Sequence, residues 1–91
     1  MAGYRIACDF VKDGDTFRTA KHNWIRLADV CAPDEDEIGY DKAKSILEHL
    51  ILGKEIVYEQ AGTSHNQIVA EVSVNNLDVN AYMRWKGYNC Q

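Results

Sequence analysis

Strand-like alternation in the first third of the chain, one amphipathic helix in the middle and a later hairpin followed by a short helix predict a small, mainly β domain with α-helices. The segments run β-β-β-α-β-β-α. Five short strands with a helix between the third and fourth is the order of a five-stranded OB-fold barrel. Closure into a barrel also removes sheet edges that a chain of 91 residues has little material to cover. An SH3-like barrel and a small α+β roll are the competing architectures, and the helix position favours the OB order. No repeat or linker interrupts the chain, so residues 1–91 read as one domain.

Each element has its own signal. Ile6, Cys8 and Phe10 fall on one face of the first strand, with Arg5, Ala7 and Asp9 on the other. Lys12-Asp13-Gly14-Asp15 suits a turn, and 16–19 returns as the second strand. Lys21-His22-Asn23 turns again into a third strand over 24–30, which completes a meander. Ala43, Ile46, Leu47, Leu50 and Ile51 recur at helical spacing and predict a helix over 41–52, with Asp41 as its cap and Gly53 just past its end. Residues 54–60 and 67–74 form a hairpin whose second strand turns Ile68, Ala70, Val72 and Val74 inward, around a loop over 61–66. Asn75-Asn76 leads to a short helix over 78–86 that ends at Gly87. The expected core is Ile6, Phe10, Ile25, Leu27, Ile56, Ile68, Val72 and the apolar face of the first helix.

Composition narrows the function classes. The longest apolar stretch, 46–52, is broken by Glu48 and His49, so no segment reads as a membrane span. The opening residues carry no apolar signal region, and Cys8, Cys31 and Cys90 are odd in number without CxxC spacing. Reduced thiols in a cytoplasmic protein are the expectation. A net charge of −4 argues against tight nucleic-acid binding and leaves weak single-stranded binding, a protein partner or self-association. Asp29, Asp34, Glu35, Asp36, Glu37 and Asp41 cluster without an intervening base, either as a solvated loop or as a cation site.

Two short runs carry the chemistry. Asp13-Gly14-Asp15-Thr16 supplies carboxylates, and Arg26-Leu27 leads through Ala32-Pro33-Asp34. Carboxylates hold hard cations and activate water, while arginine clamps phosphate, so the pairing points to phosphate-ester chemistry.

With these runs, with Gly39 leading into Ala43, with Val69-Ala70-Glu71-Val72, and with Leu77-Asp78-Val79-Asn80 running to Lys86-Gly87-Tyr88, the chain resembles the staphylococcal-nuclease-like (thermonuclease) family over nearly its whole length. The resemblance implies an OB barrel holding Ca²⁺ beside two arginines and a glutamate. By position Asp15 matches the first metal ligand and Arg26 the first phosphate arginine. Asp34 stands for the catalytic glutamate, Cys31 for the second metal aspartate and Gln67 for the second arginine. Asp29 is a candidate stand-in ligand and His65 a candidate phosphate contact. The family's C-terminal helix, which would follow Gly87, is not matched.

These exchanges imply a degenerate site. Ca²⁺ prefers oxygen, so a thiol at Cys31 leaves weak Ca²⁺ binding at most. An uncharged Gln67 forgoes a transition-state charge worth about 10³- to 10⁵-fold in rate by analogy with arginine fingers. Asp34 falls short of a glutamate's reach by roughly 1 Å, a displacement that can cost about 10²-fold. The expected function is a nuclease-like phosphodiesterase domain with weak or absent hydrolysis. The alternative is a non-catalytic binding module for single-stranded nucleic acid or a protein partner, with Tyr40, Tyr82, Trp85 and Tyr88 as candidate stacking aromatics.

Overall fold

The computed structural model describes residues 3–90, and among these the chain forms six strands and two helices. In order they are β1 (Tyr4–Asp13), β2 (Thr16–Thr19), β3 (Trp24–Leu27), α1 (Tyr40–Ile51), β4 (Glu55–Ser64), β5 (Gln67–Val74), β6 (Leu77–Asp78) and α2 (Val79–Trp85). β1 pairs antiparallel with β2 and β4, β2 with β3, and β4 with β5. A parallel pairing of β3 with β5 joins the ends of this sheet, so the strands close into a small barrel-like ring.

Three local devices shape the strands. A bulge in β1 between Cys8 and Phe10 shifts the alternation by one residue. Cys8 and Val11 therefore turn inward, while Phe10, expected in the core, is 43% exposed. Ile6, also expected there, packs against the core only partly buried. His65 and Asn66, at φ 52 and 65, form a two-residue turn. Such left-handed pairs match the twist of a hairpin, and the expected loop over 61–66 shrinks to that turn as β4 runs on to Ser64. Asn75 and Asn76, at φ 49 and 68, do the same and create β6, a strand that the alternation pattern was too short to reveal.

β3 stops at Leu27 rather than continuing to Val30. The chain turns at Ala28-Asp29, and Val30 instead bridges Asn89. α1 starts one residue earlier than its periodicity predicts, with Gly39 at φ 92 as N-cap. Asp41 lies inside the first turn, where its charge still suits the helix dipole. Gly53 follows the C-cap at φ 76, a conformation open to glycine without a Cβ penalty.

Ala43, Leu47 and Ile51 of α1 are fully buried, and Leu47 and Ile51 join Phe17, Ile25, Leu27 and Ile56 of the barrel in one core. α2 adds Val79 and Met83 to the same core, its start capped by Asp78, which accepts from the Ala81 amide at 3.0 Å. The fully buried Asn80 accepts from Val72 N at 2.8 Å and donates to Ala28 O at 3.1 Å and Ala70 O at 3.0 Å. It thereby fastens α2 across the β3–β5 seam.

Leu47→Ala should lower unfolding free energy by about 2–5 kcal/mol in a urea titration, because a fully buried leucine leaves both transfer and cavity costs. A loss below about 0.5 kcal/mol, as expected of a surface position, would mean that α1 presents another face.

Candidate functional site

The turn between β1 and β2 is packed too tightly to be a simple surface loop. A Cβ on Gly14 would lie 2.7 Å from the Cβ atoms of both Ala32 and Ala43, so only glycine lets the 31–34 loop and α1 close over this turn. On either side of it, Asp13 and Asp15 are buried.

Asp15 is held by several donors at once. Its Oδ1 accepts from the Thr16 hydroxyl at 2.8 Å and its Oδ2 from the Ala32 amide at 3.0 Å. Arg26, half-buried on β3, brings Nη2 to 3.8 Å from the same Oδ2. The register of β2 with β3 explains this meeting, since Thr16 lies opposite Arg26. The Asp15 carboxylate thus ties the turn, the 31–34 loop and β3 together.

Asp13 was not among the expected site residues, although its side chain accepts the Asp15 amide at 3.0 Å. Burial, and then the neighbouring Asp15 carboxylate, push its pKa up to about 6. No signal in the alternation marks it, because Asp13 follows two register irregularities in β1, and its burial comes from the closed turn around Gly14.

Cys31 departs from expectation. It is bonded to Cys90 across 59 residues, with Cα atoms 5.0 Å apart, and is not the reduced thiol that the cysteine count suggested. Cys8 alone remains free, buried in the core, where burial raises its pKa to about 11. Setting aside Cys8 as a core strand residue would have left Cys31 and Cys90 as a pair. Around the disulfide, Cys31 N donates to Tyr88 O at 3.0 Å, and Arg26 Nη2 approaches Val30 O at 3.5 Å and Cys31 Sγ at 3.6 Å. The 88–90 segment is therefore stitched beside the arginine.

The other expected positions are scattered. Asp34 is exposed and lines a cleft with Lys12, Asp13, Glu35, Asp36 and Tyr40. Its own amide donates to Glu37 Oε1 at 2.7 Å, and among the described residues no hydrogen bond or ion pair joins its carboxylate to Asp15 or Arg26. Asp29, the candidate stand-in ligand, is exposed in a turn at φ 57. His65 sits at the tip of the β4–β5 hairpin, its Nδ1 3.0 Å from Ser64 Oγ. Gln67 begins β5 half-buried, one register step from the Ile25–Ile68 pair and two from the Arg26–Val69 pair.

As a Ca²⁺ centre the donor set fits poorly. Asp15 already accepts two hydrogen bonds and faces an arginine, and the Cys31 sulfur is spent in a disulfide. Among the described residues no three or more His, Cys, Asp or Glu side chains are grouped to hold a metal ion. The remaining chemistry is a guanidinium anchored at one edge and open at the other, suited to a phosphate oxygen. Compared with family models and with curated protein sequences, the chain gives no match.

Two outcomes follow from this geometry. Because Asp13 holds its proton more tightly in the folded state than in the unfolded chain, its contribution to stability is full below the ordinary carboxylate range and is lost as pH rises through about 6. Asp13→Asn, which keeps the acceptor for the Asp15 amide, should flatten that decline and be more stable than wild type at neutral pH. Equal pH slopes for the two proteins in denaturant titrations would refute the assignment.

The disulfide provides the other outcome. A link across 59 residues contributes on the order of 4 kcal/mol in the chain-entropy treatment. Dithiothreitol should therefore lower the thermal midpoint clearly, and Cys90→Ser should reproduce the effect and remove any further response. Thiol titration of the native protein that counts every cysteine as free would overturn the pairing.

Proposed function

We propose that this chain is an OB-fold domain of the thermonuclease-like kind whose phosphodiesterase site is degenerate, leaving nucleic-acid hydrolysis weak or absent. The ring order β1-β2-β3-β5-β4, with the helix between β3 and β4, supports the OB assignment over an SH3-like barrel. The observation that carries the functional reading is the Asp15–Arg26 contact at 3.8 Å. The two positions that match the thermonuclease pattern in identity meet at the barrel end, while the exchanged Cys31, Gln67 and Asp34 supply neither a second ligand nor a second guanidinium there.

Within this reading Ca²⁺ binds weakly if at all, and no catalytic step is assigned to it. Arg26 is the phosphate contact, Asp15 is the strut that orients it, and Asp34, with its carboxylate in a separate cleft, is a poor base for a water attacking a phosphate on Arg26. The second reading, a non-catalytic module for single-stranded nucleic acid or a protein partner, is favoured by Arg26 keeping its contact surface although the second metal position, Cys31, is spent in the disulfide. The disulfide favours an oxidising compartment over the cytoplasmic setting inferred from cysteine number.

The test restores the missing groups. Wild type should show little Ca²⁺-dependent cleavage of DNA or RNA. The variant Cys31→Asp/Gln67→Arg, with Cys90→Ser to avoid an orphan thiol, should bind Ca²⁺ more tightly and cleave measurably, and Asp15→Asn should abolish that gain. Robust cleavage by wild type, or a folded variant that neither binds Ca²⁺ nor cleaves, would each refute the degenerate-site reading.

A further inference from the structure

The two cysteines of the Cys31–Cys90 disulfide are both exposed, but their sulfurs have different surroundings. Arg26 Nη2 lies 3.6 Å from Cys31 Sγ and 3.5 Å from Val30 O, so a guanidinium borders that sulfur. Among the described residues Cys90 makes no side-chain hydrogen bond, and it stands one residue beyond the Val30–Asn89 bridge. The acids near Cys31 are engaged elsewhere. Asp15 anchors the same guanidinium nitrogen at 3.8 Å while accepting from Thr16 and Ala32. Glu37, which shares an open groove with Cys31, accepts from the Asp34 amide at 2.7 Å. Cys8, the free thiol, is 1% exposed in the core, so opening the disulfide takes a thiol from outside.

Thiol–disulfide exchange discriminates between two such sulfurs. A thiolate attacks one of them, and the other departs with the electron pair, faster when its negative charge is better accommodated. A cation beside Cys31 makes it the better leaving sulfur. We infer that Cys31–Cys90 is an exchange site for a low-molecular-weight thiol, which attacks Cys90 Sγ while Cys31 departs beside Arg26. The incoming thiol first loses its proton to water. Its sulfur then bonds to Cys90 Sγ, the Cys31–Cys90 bond breaks, and Cys31 keeps the electron pair as a thiolate. A second thiolate attacks the small-molecule sulfur of this mixed disulfide and releases Cys90. Two external thiols are thereby oxidised to their disulfide as the protein disulfide is reduced. The opened segment 88–90 is then held to the barrel only by the Val30–Asn89 bridge and the hydrogen bond from Cys31 N to Tyr88 O. This chemistry goes beyond the proposed function, since it uses the charge of Arg26 but neither phosphate nor metal.

The experiment incubates the full chain with reduced glutathione, traps early time points with excess N-ethylmaleimide and locates both adducts by peptide mass spectrometry. Glutathione on Cys90 with maleimide on Cys31 should exceed the reverse arrangement about tenfold. Arg26→Gln should bring the two arrangements close to equality and slow the opening about tenfold. Arg26→Lys, which keeps a cation at that position, should retain the bias, and this guards against a glutamine variant that merely loosens the barrel. Protein unfolded in urea, where Arg26 is no longer held against the sulfur, should show no bias. Equal adducts in the folded wild type, or glutathione mainly on Cys31, would overturn the inference. A bias that survives Arg26→Gln would do the same, as would a disulfide that glutathione opens only in urea. Ca²⁺-dependent cleavage by the restored variant involves no disulfide, so failure of the degenerate-site reading and failure of the exchange site are read separately.

Discussion

Everything in this domain depends on the seam where β3 runs parallel to β5. The strands of the two hairpins pair locally, but only this long-range contact turns the sheet into a ring, and a parallel pairing has no tight turn to enforce it. Asn80 does that work from α2. One side chain accepts from Val72 N and donates to Ala70 O, which also accepts from Ala28 N, and to Ala28 O, so it ties both strands where they converge. Arg84 adds a second donor to Ala28 O at 3.1 Å. The short final helix is therefore the clasp of the barrel rather than an appendage, and its apolar residues Val79 and Met83 complete the core from the same side.

The candidate site inherits its geometry from that closure. With β3 held in register, Arg26 is delivered to the β1–β2 turn, and Asp15 receives it together with the Ala32 amide. Much of the conspicuous Asp-Gly-Asp-Thr run is thus structural: Gly14 for close approach, Asp15 for tying three segments, Thr16 for orienting Asp15. A carboxylate so engaged can still steer an arginine. The disulfide reinforces the same corner, holding the 88–90 segment against Val30 and Cys31 next to the guanidinium. Structural support and the candidate phosphate contact of the proposed function thus share the same few residues.

Charge is distributed in a way that the net value conceals. The acids concentrate in the 34–37 loop and on exposed parts of β4 and β5, where Glu59 and Glu71 lie directly opposite each other. The β2–β3 hairpin is basic and lies beside the exposed ring of Phe10 on β1. A total of −4 suggested weak attraction for polyanions, yet screening limits interactions between exposed charges to about 10 Å at ordinary salt, so a local basic face can act despite the sum.

What the sequence by itself determined was local. Helical periodicity placed α1 within a residue of its ends, and Asp-Gly, Lys-His-Asn and Asn-Asn marked the turns because their dihedral preferences are intrinsic. The β-β-β-α-β-β-α order followed, as did the candidacy of Asp15 and Arg26. Only the tertiary structure decided the rest. A single-residue bulge reversed the facing of Phe10, two left-handed turns lengthened the later hairpin and added β6, and the proximity of distant segments joined Cys31 to Cys90 and buried Asp13 beside Asp15. The physical reason is range. Periodicity and turn chemistry are written in neighbouring residues, whereas bulges, disulfide partners and the burial of a carboxylate depend on what the rest of the chain brings alongside.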